Sequence, residues 1–220
     1  MTLTEESMQF WDRRQAGQAL AGRLSTLHGT DLVVVGVARG GVLVAREVAT
    51  SLGAPLDVAL VGRIKEPDRP GTTLAAVAEG GVLVVAGRRG RVNPAGLRTQ
   101  ASRVRAELAT RTAAFPRLFW RKPVSGRAVI LVDDGITTGT TVRAAARVLR
   151  ARGAAGIVLA VPVASIEALE TVSAELDHVV CLRRQPWPQA ARNLYNELPP
   201  LSDEALAAAL GVRPAEAVPA

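Results

Sequence analysis

Aromatic side chains are nearly missing from this chain: three Trp, three Phe and one Tyr in 220 residues, or 3 %. Proteins that stack on single-stranded nucleic acid need aromatic platforms, and little is left here to build one. Cysteine is scarcer still. Cys181 stands alone, so no intrachain disulfide can form, and with no hydrophobic signal region near Met1 the expected compartment is a reducing cytoplasm. Cys181 lies in the apolar run His178-Val-Val-Cys-Leu182, where it reads as a small buried strand residue and not as a nucleophile. The only two histidines, His28 and His178, are far apart and have no Cys partners, so no metal-ligand cluster is evident. No apolar run approaches the ~20 residues that cross a bilayer.

What is abundant is aliphatic. The chain is 48 % hydrophobic, so its core must be built from Val, Leu, Ile and Ala. The length suits one domain with an appendage. The net charge is +7, carried almost entirely by arginine, since Lys65 and Lys122 are the only lysines. A basic balance favours anionic ligands such as phosphates, and also nucleic acid or acidic membranes. The arginines are scattered, however, with denser spots at Arg88-Arg89-Gly-Arg91 and Arg183-Arg184, which reads mainly as solvated helix faces.

Hydrophobic periodicity gives an α/β order. Gln15–Leu27 is helical. Leu32–Val37 is a continuous apolar strand, Val42–Leu52 a helix closed by Gly53, and Val58–Val61 a second strand. Between Gly62 and Arg127 the short runs Leu74–Ala78 and Val82–Ala86 read as a hairpin. A Gly- and charge-rich loop follows, then a polar helix over Leu97–Ala114. Alternation resumes with strand Ala128–Val132, helix Thr140–Arg152, strand Ile157–Val161, helix Ser165–Leu176 and strand Val179–Leu182. The expected fold is a mainly parallel twisted sheet with helices on both faces. It forms one domain over 1–210, with a core of about 31–183, a small hood from about 1–28 and 184–210, and a disordered tail over 211–220.

Ligands of open parallel sheets bind beyond the carboxyl ends of the strands, and two loops stand out there. The first is Val132-Asp133-Asp134-Gly135-Ile136-Thr137-Thr138-Gly139-Thr140-Thr141. Thr137–Thr141 put amides and hydroxyls at a helix N-terminus, which suits a phosphate. Asp133 and Asp134 would repel that phosphate unless they face another part of the same ligand, and a sugar diol is the natural candidate. The bland alternative is an Asp-Asp-Gly turn with Thr138 as helix cap. The second loop is Gly36-Val-Ala-Arg-Gly-Gly41. It lacks the Gly-x-Gly-x-x-Gly dinucleotide spacing, and Val42-Leu43 replace the Lys-Ser/Thr of a Walker loop. What remains is a glycine-rich turn whose amides can nest an anion, or a tight packing turn.

The ten-residue acidic loop resembles the signature of type I phosphoribosyltransferases, which bind 5-phosphoribosyl-1-pyrophosphate (PRPP). Further segments resemble a bacterial subgroup of phosphoribosyltransferase-domain proteins: Asp12-Arg13-Arg14-Gln15-Ala16-Gly17, Arg39-Gly40-Gly41, Ala76-Val77-Ala78-Glu79-Gly80-Gly81 and Val161-Pro162-Val163-Ala164-Ser165. The chain departs from that subgroup at Gly62-Arg63, where Arg-Lys is usual, and in the Lys-Glu-Pro-Asp-Arg-Pro that follows.

The resemblance implies displacement of pyrophosphate from C1 of PRPP through an oxocarbenium-like transition state, with Mg2+ bridging pyrophosphate and ribose hydroxyls. It assigns Thr137, Thr138, Gly139, Thr140 and Thr141 to the 5′-phosphate, and Asp133 and Asp134 to the ribose and the charge at C1. Ala38, Arg39, Gly40, Gly41 and Arg63 are assigned to pyrophosphate. No metal site is expected beyond Mg2+ held through PRPP. Arg88–Asn93 is the candidate lid over a water-sensitive reaction, with a plain exposed hairpin exit the equally good reading. Trp187 and Tyr195 are candidates for stacking on a planar acceptor, with packing the equally good reading. The expected partners are PRPP and a small-molecule acceptor, a nucleobase or other nitrogen nucleophile, in a homodimer. Neither membrane nor nucleic acid is expected. The alternatives are a non-catalytic PRPP- or nucleotide-binding regulator and a relative shifted to other phosphosugar chemistry.

Overall fold

The computed structural model describes residues 9–66, 73–87, 93–114, 122–186 and 194–211. Its continuous apolar runs become the strands of one parallel sheet: β1 (Leu32–Val37), β2 (Leu56–Ala59), β6 (Ala128–Val132), β7 (Gly156–Ser165) and β8 (His178–Gln185). The order is β2-β1-β6-β7-β8, and each neighbouring pair is parallel. The runs do not alternate with polar residues because both sheet faces are covered. Val33, Val35, Val129 and Leu131 share one core with helix α4 (Thr140–Ala151). Val34, Ile130 and Val132 share another with α1 (Arg13–Arg23) and α2 (Gly40–Leu52).

The chain winds outward in two directions from the centre of this sheet. From β1 it passes through α2 to β2 on one side. From β6 it passes through α4, β7 and α5 (Ile166–Val172) to β8 on the other. The carboxyl ends of β1 and β6 therefore meet at a topological switch point, where open α/β sheets form their binding crevice. The two loops singled out from the sequence leave from those two ends.

A second sheet accounts for the middle region. β3 (Val61–Lys65), β4 (Thr73–Ala78) and β5 (Leu83–Val85) are antiparallel in the order β3-β4-β5. The expected hairpin is present as β4 and β5. The expected strand Val58–Val61, by contrast, is split: Val58 and Ala59 end β2, and Val61 begins β3 in the other sheet. Leu60 between them is 2 % exposed, so the apolar pattern runs unbroken across the change of sheet and hides it.

Other boundaries move for local reasons. Helix α3 (Pro94–Ala114) starts three residues before Leu97, because Pro94 is suited to a first helical position and the Asn93 side chain accepts from the Ala95 amide at 3.0 Å. The helix expected over Ser165–Leu176 is α5 followed by a short 3-10 turn over Ser173–Glu175. The first helix starts at Arg13, and Ser25–Leu27 is a separate 3-10 turn. A further helix, α6 (Asp203–Ala209), lies in the C-terminal region where none was expected. Cys181 is half-buried, with its sulfur 3.1 Å from the Arg183 carbonyl. The tail beyond Gly211 lies outside the described residues.

Candidate functional site

At the carboxyl end of β6, Asp133 is buried and Asp134 half-buried. One Asp133 carboxylate oxygen accepts from the Asp134 amide at 2.9 Å, so the first acid stabilises the turn that presents the second. Burial pushes the Asp133 carboxyl well above the usual carboxylate range. The neighbouring Asp134 adds to this, and the positive charge of Arg63, on β3, opposes it. A carboxylate so placed holds its charge readily only beside a cation or a cationic transition state.

Beyond the acids the loop is tied to β7. The Ile136 amide donates to Val163 O at 3.0 Å, and the Ser165 amide donates to Ile136 O at 3.0 Å. The Ser165 hydroxyl donates to Thr137 O at 2.7 Å while accepting from the Ala168 amide at 3.0 Å. One serine thus caps α5 and fixes the loop. The chain then turns through Gly139, at φ 69°, directly into α4. A Cβ there would lie 2.5 Å from a Val172 methyl, so glycine is needed for space as well as for conformation. Among the described residues the amides of Thr137, Thr138, Gly139 and Thr141 donate to no protein acceptor. Four unspent donors at the start of a helix form an anion cradle. The Thr140 side chain instead faces inward, fully buried, with its hydroxyl 3.0 Å from that of Thr138.

At the carboxyl end of β1 the Ala38 amide donates to Ala59 O at 2.9 Å, and the Ala38–Arg39 peptide is cis. Among the described residues the amides of Gly40 and Gly41, which open α2, donate to no protein acceptor. A Cβ on Gly41 would lie 2.7 Å from Val132 O and 2.8 Å from Asp133 Cα. The glycines therefore let this loop press against the acidic one, as a tight packing turn requires. The Arg39 guanidinium donates to Leu201 O at 2.9 Å.

A strap over 194–201 closes the arrangement. It pairs with the N-terminal segment through Phe10 N to Leu194 O at 2.8 Å and Glu197 N to Trp11 O at 2.8 Å. The Tyr195 hydroxyl donates to the Asp134 backbone oxygen at 2.7 Å. Arg13, from the start of α1, places Nε 2.8 Å from Asp134 Oδ2 and Nη1 2.8 Å from Pro199 O.

A profile of the phosphoribosyl transferase domain matches residues 12–192. The chain belongs to the phosphoribosyl transferase domain family. Its relatives include proteins from two strains of Mycobacterium tuberculosis whose names assign them provisionally to phosphoribosyl transfer. Each is 39 % identical over 204 residues, or 91 % of this chain and 46 % of the relative. The chain thus spans about half the length of these curated relatives. The crystal structure of TT1426 from Thermus thermophilus is similar at 40 % identity and a TM-score of 0.74, covering 92 % of this chain and 98 % of that one.

Within this member of the family, the two loops read from the sequence meet at one place. Tyr195 requires a correction. It is 6 % exposed, its ring lies 5.8 Å from that of Phe10, and its hydroxyl is committed to the acidic loop, so it offers no face for stacking on an acceptor. Desolvation raises the hydroxyl's pKa far above that of a free phenol. Trp187 and residues 88–92 of the candidate lid lie outside the described residues, and Asn93 caps α3. Arg13 and Ser165 were missed as site residues, although both lie in segments that carried the family resemblance. No group of three or more His, Cys, Asp or Glu that could cage a metal occurs among the described residues. The two carboxylates of Asp133 and Asp134 are hard oxygen donors, the ligand type that Mg2+ prefers. Among the described residues no helix is long and apolar enough to cross a membrane.

Proposed function

We propose that this chain, as a single domain over 1–210, transfers the 5-phosphoribosyl group of PRPP to a nitrogen nucleophile and releases pyrophosphate. One observation carries the reading: an unspent amide cradle at the start of α4, an acid pair and a second amide nest at Gly40–Gly41 converge at the switch point of the sheet. Thr137–Thr141 hold the 5′-phosphate, with Thr140 acting through its support of Thr138. Asp133 and Asp134 accept from the ribose hydroxyls and stabilise positive charge developing at C1. Ala38–Gly41 and Arg63 receive pyrophosphate, for which Arg39 exchanges the Leu201 carbonyl. Mg2+ carried on the diphosphate of PRPP, beside Asp133 and Asp134, would supply charge neutralisation at the leaving group. The protein's own contribution is positioning and electrostatics. The protein acts as a homodimer in the cytoplasm.

The test is turnover. Protein, Mg2+ and PRPP are incubated with a panel of nucleobases and other nitrogen nucleophiles, and pyrophosphate release is measured alongside PRPP binding. Release that depends on one acceptor supports the transferase. Tight PRPP binding with no release across the panel supports the regulatory alternative. Failure to bind PRPP rejects both.

A further inference from the structure

The segment Asp12-Arg13-Arg14-Gln15-Ala16-Gly17 marks the family resemblance but has no part in the transfer described above. Its members separate by task. Asp12 caps α1, accepting from the Gln15 amide at 2.8 Å. Ala16 is fully buried, and Gly17 lets α2 approach so closely that a Cβ would lie 2.7 Å from Val44 O. Arg13 serves neither purpose. Its side chain is 11 % exposed and runs to the acid pair, 121 residues away in sequence. Shielding a guanidinium from water is costly unless its partners repay the lost hydration, and the two partners here are Asp134 and the strap carbonyl of Pro199.

We propose that Arg13 is a positioning residue for Asp134. By holding Oδ2 it sets the carboxylate rotamer and leaves Oδ1 to accept from a ribose hydroxyl. The Asp134 backbone is already fixed by Tyr195, so Arg13 removes the remaining freedom. The arrangement also answers the repulsion between adjacent carboxylates. Asp133 feels Arg63 from β3, and Asp134 meets Arg13 from α1. The slot is tailored: a Cβ on Gly40 would overlap the Asp134 carboxylate and lie 2.8 Å from Arg13 Nε. The inference rests on the phosphoribosyl reading of this site. Its rival is that Arg13 is only a strut between α1 and the strap.

The experiment titrates Mg·PRPP, ribose 5-phosphate and Mg·pyrophosphate calorimetrically. The proteins are wild type, Arg13→Gln, Arg13→Lys, Asp134→Asn and the Arg13→Gln/Asp134→Asn double variant, each with a melting curve. Arg13→Gln should weaken both ribose-bearing ligands by roughly tenfold, the scale of a charge-assisted hydrogen bond, and spare pyrophosphate. Arg13→Lys should recover part of the loss. In the Asp134→Asn background the Arg13 change should cost nothing further, because Arg13 acts through Asp134. Additive losses in the double variant, equal weakening of all three ligands, or an unchanged Arg13→Gln would overturn the proposal while leaving the phosphoribosyl reading in place. A wild type that binds none of the three ligands overturns both. If Arg13→Gln does not fold, Arg13→Lys carries the same comparison.

Discussion

Gly40 and Asp134 occupy one space: a Cβ on Gly40 would lie 2.6 Å from the Asp134 carboxylate carbon. The first residue of α2 therefore limits the position of an acid at the end of β6. Gly40→Ala should displace the carboxylate, abolish detectable PRPP binding in calorimetry, and destabilise by about 1–3 kcal/mol through overpacking. Gly22→Ala is the control. Gly22 is exposed in α1 with nothing within 4 Å of an added Cβ, and the change should stabilise by about 0.5–1 kcal/mol without altering binding. Normal PRPP binding in Gly40→Ala would show that the close approach is incidental.

Asp133 makes a prediction about pH. Burial first, then Asp134, raises its pKa in the folded protein, with Arg63 opposing. Its contribution to stability is therefore complete below the unfolded value of about 3.9. That contribution is lost as pH rises through the higher folded value. Asp133→Asn cannot ionise, so the ligand-free variant should melt above wild type near neutral pH and lose that advantage at strongly acidic pH. Its turnover should be abolished. Melting curves across pH test the first claim, and a difference independent of pH would remove burial as its cause.

Arg63 stands where this chain departs from its subgroup, exposed on β3, and its positive charge acts on Asp133. Arg63→Ala should weaken pyrophosphate and PRPP by about 1.5–3 kcal/mol, one charge-assisted contact, and spare ribose 5-phosphate. Arg63→Lys should restore part of the loss, since charge returns but the planar fork does not. Paired titrations decide. Equal weakening of both ligand types would point to general disturbance of the acids.

Ser165 joins two elements with one hydroxyl. Ser165→Ala should cost about 1–2 kcal/mol by denaturant unfolding, as a lost helix cap does. Because the tether to Thr137 is also lost, ribose 5-phosphate should bind several-fold more weakly, with pyrophosphate unaffected. Unchanged ribose 5-phosphate affinity would restrict Ser165 to capping α5.

The parallel sheet was legible in the sequence because burial on both faces requires continuous aliphatic runs, and runs such as Val33-Val34-Val35 and Val129-Ile130-Leu131 carry that requirement without help from distant residues. The two candidate ligand loops were legible for a similar reason, since a run of helix-opening amides and its glycines are consecutive in the chain. The break at Leu60 was not, because one buried leucine looks the same at a strand end and at a crossing between sheets. Tyr195 stayed open between stacking and packing because an aromatic residue's character does not say whether its ring meets ligand or Phe10. What only the tertiary structure decided is pairing over long separations. Arg13 with Asp134, Arg152 with Asp57 and Arg39 with Leu201 bring together residues whose local sequence permits many partners. A backbone pattern is dictated by neighbours in the chain. A charge finds its counter-ion only after the sheet has closed and the remaining water-free positions are few.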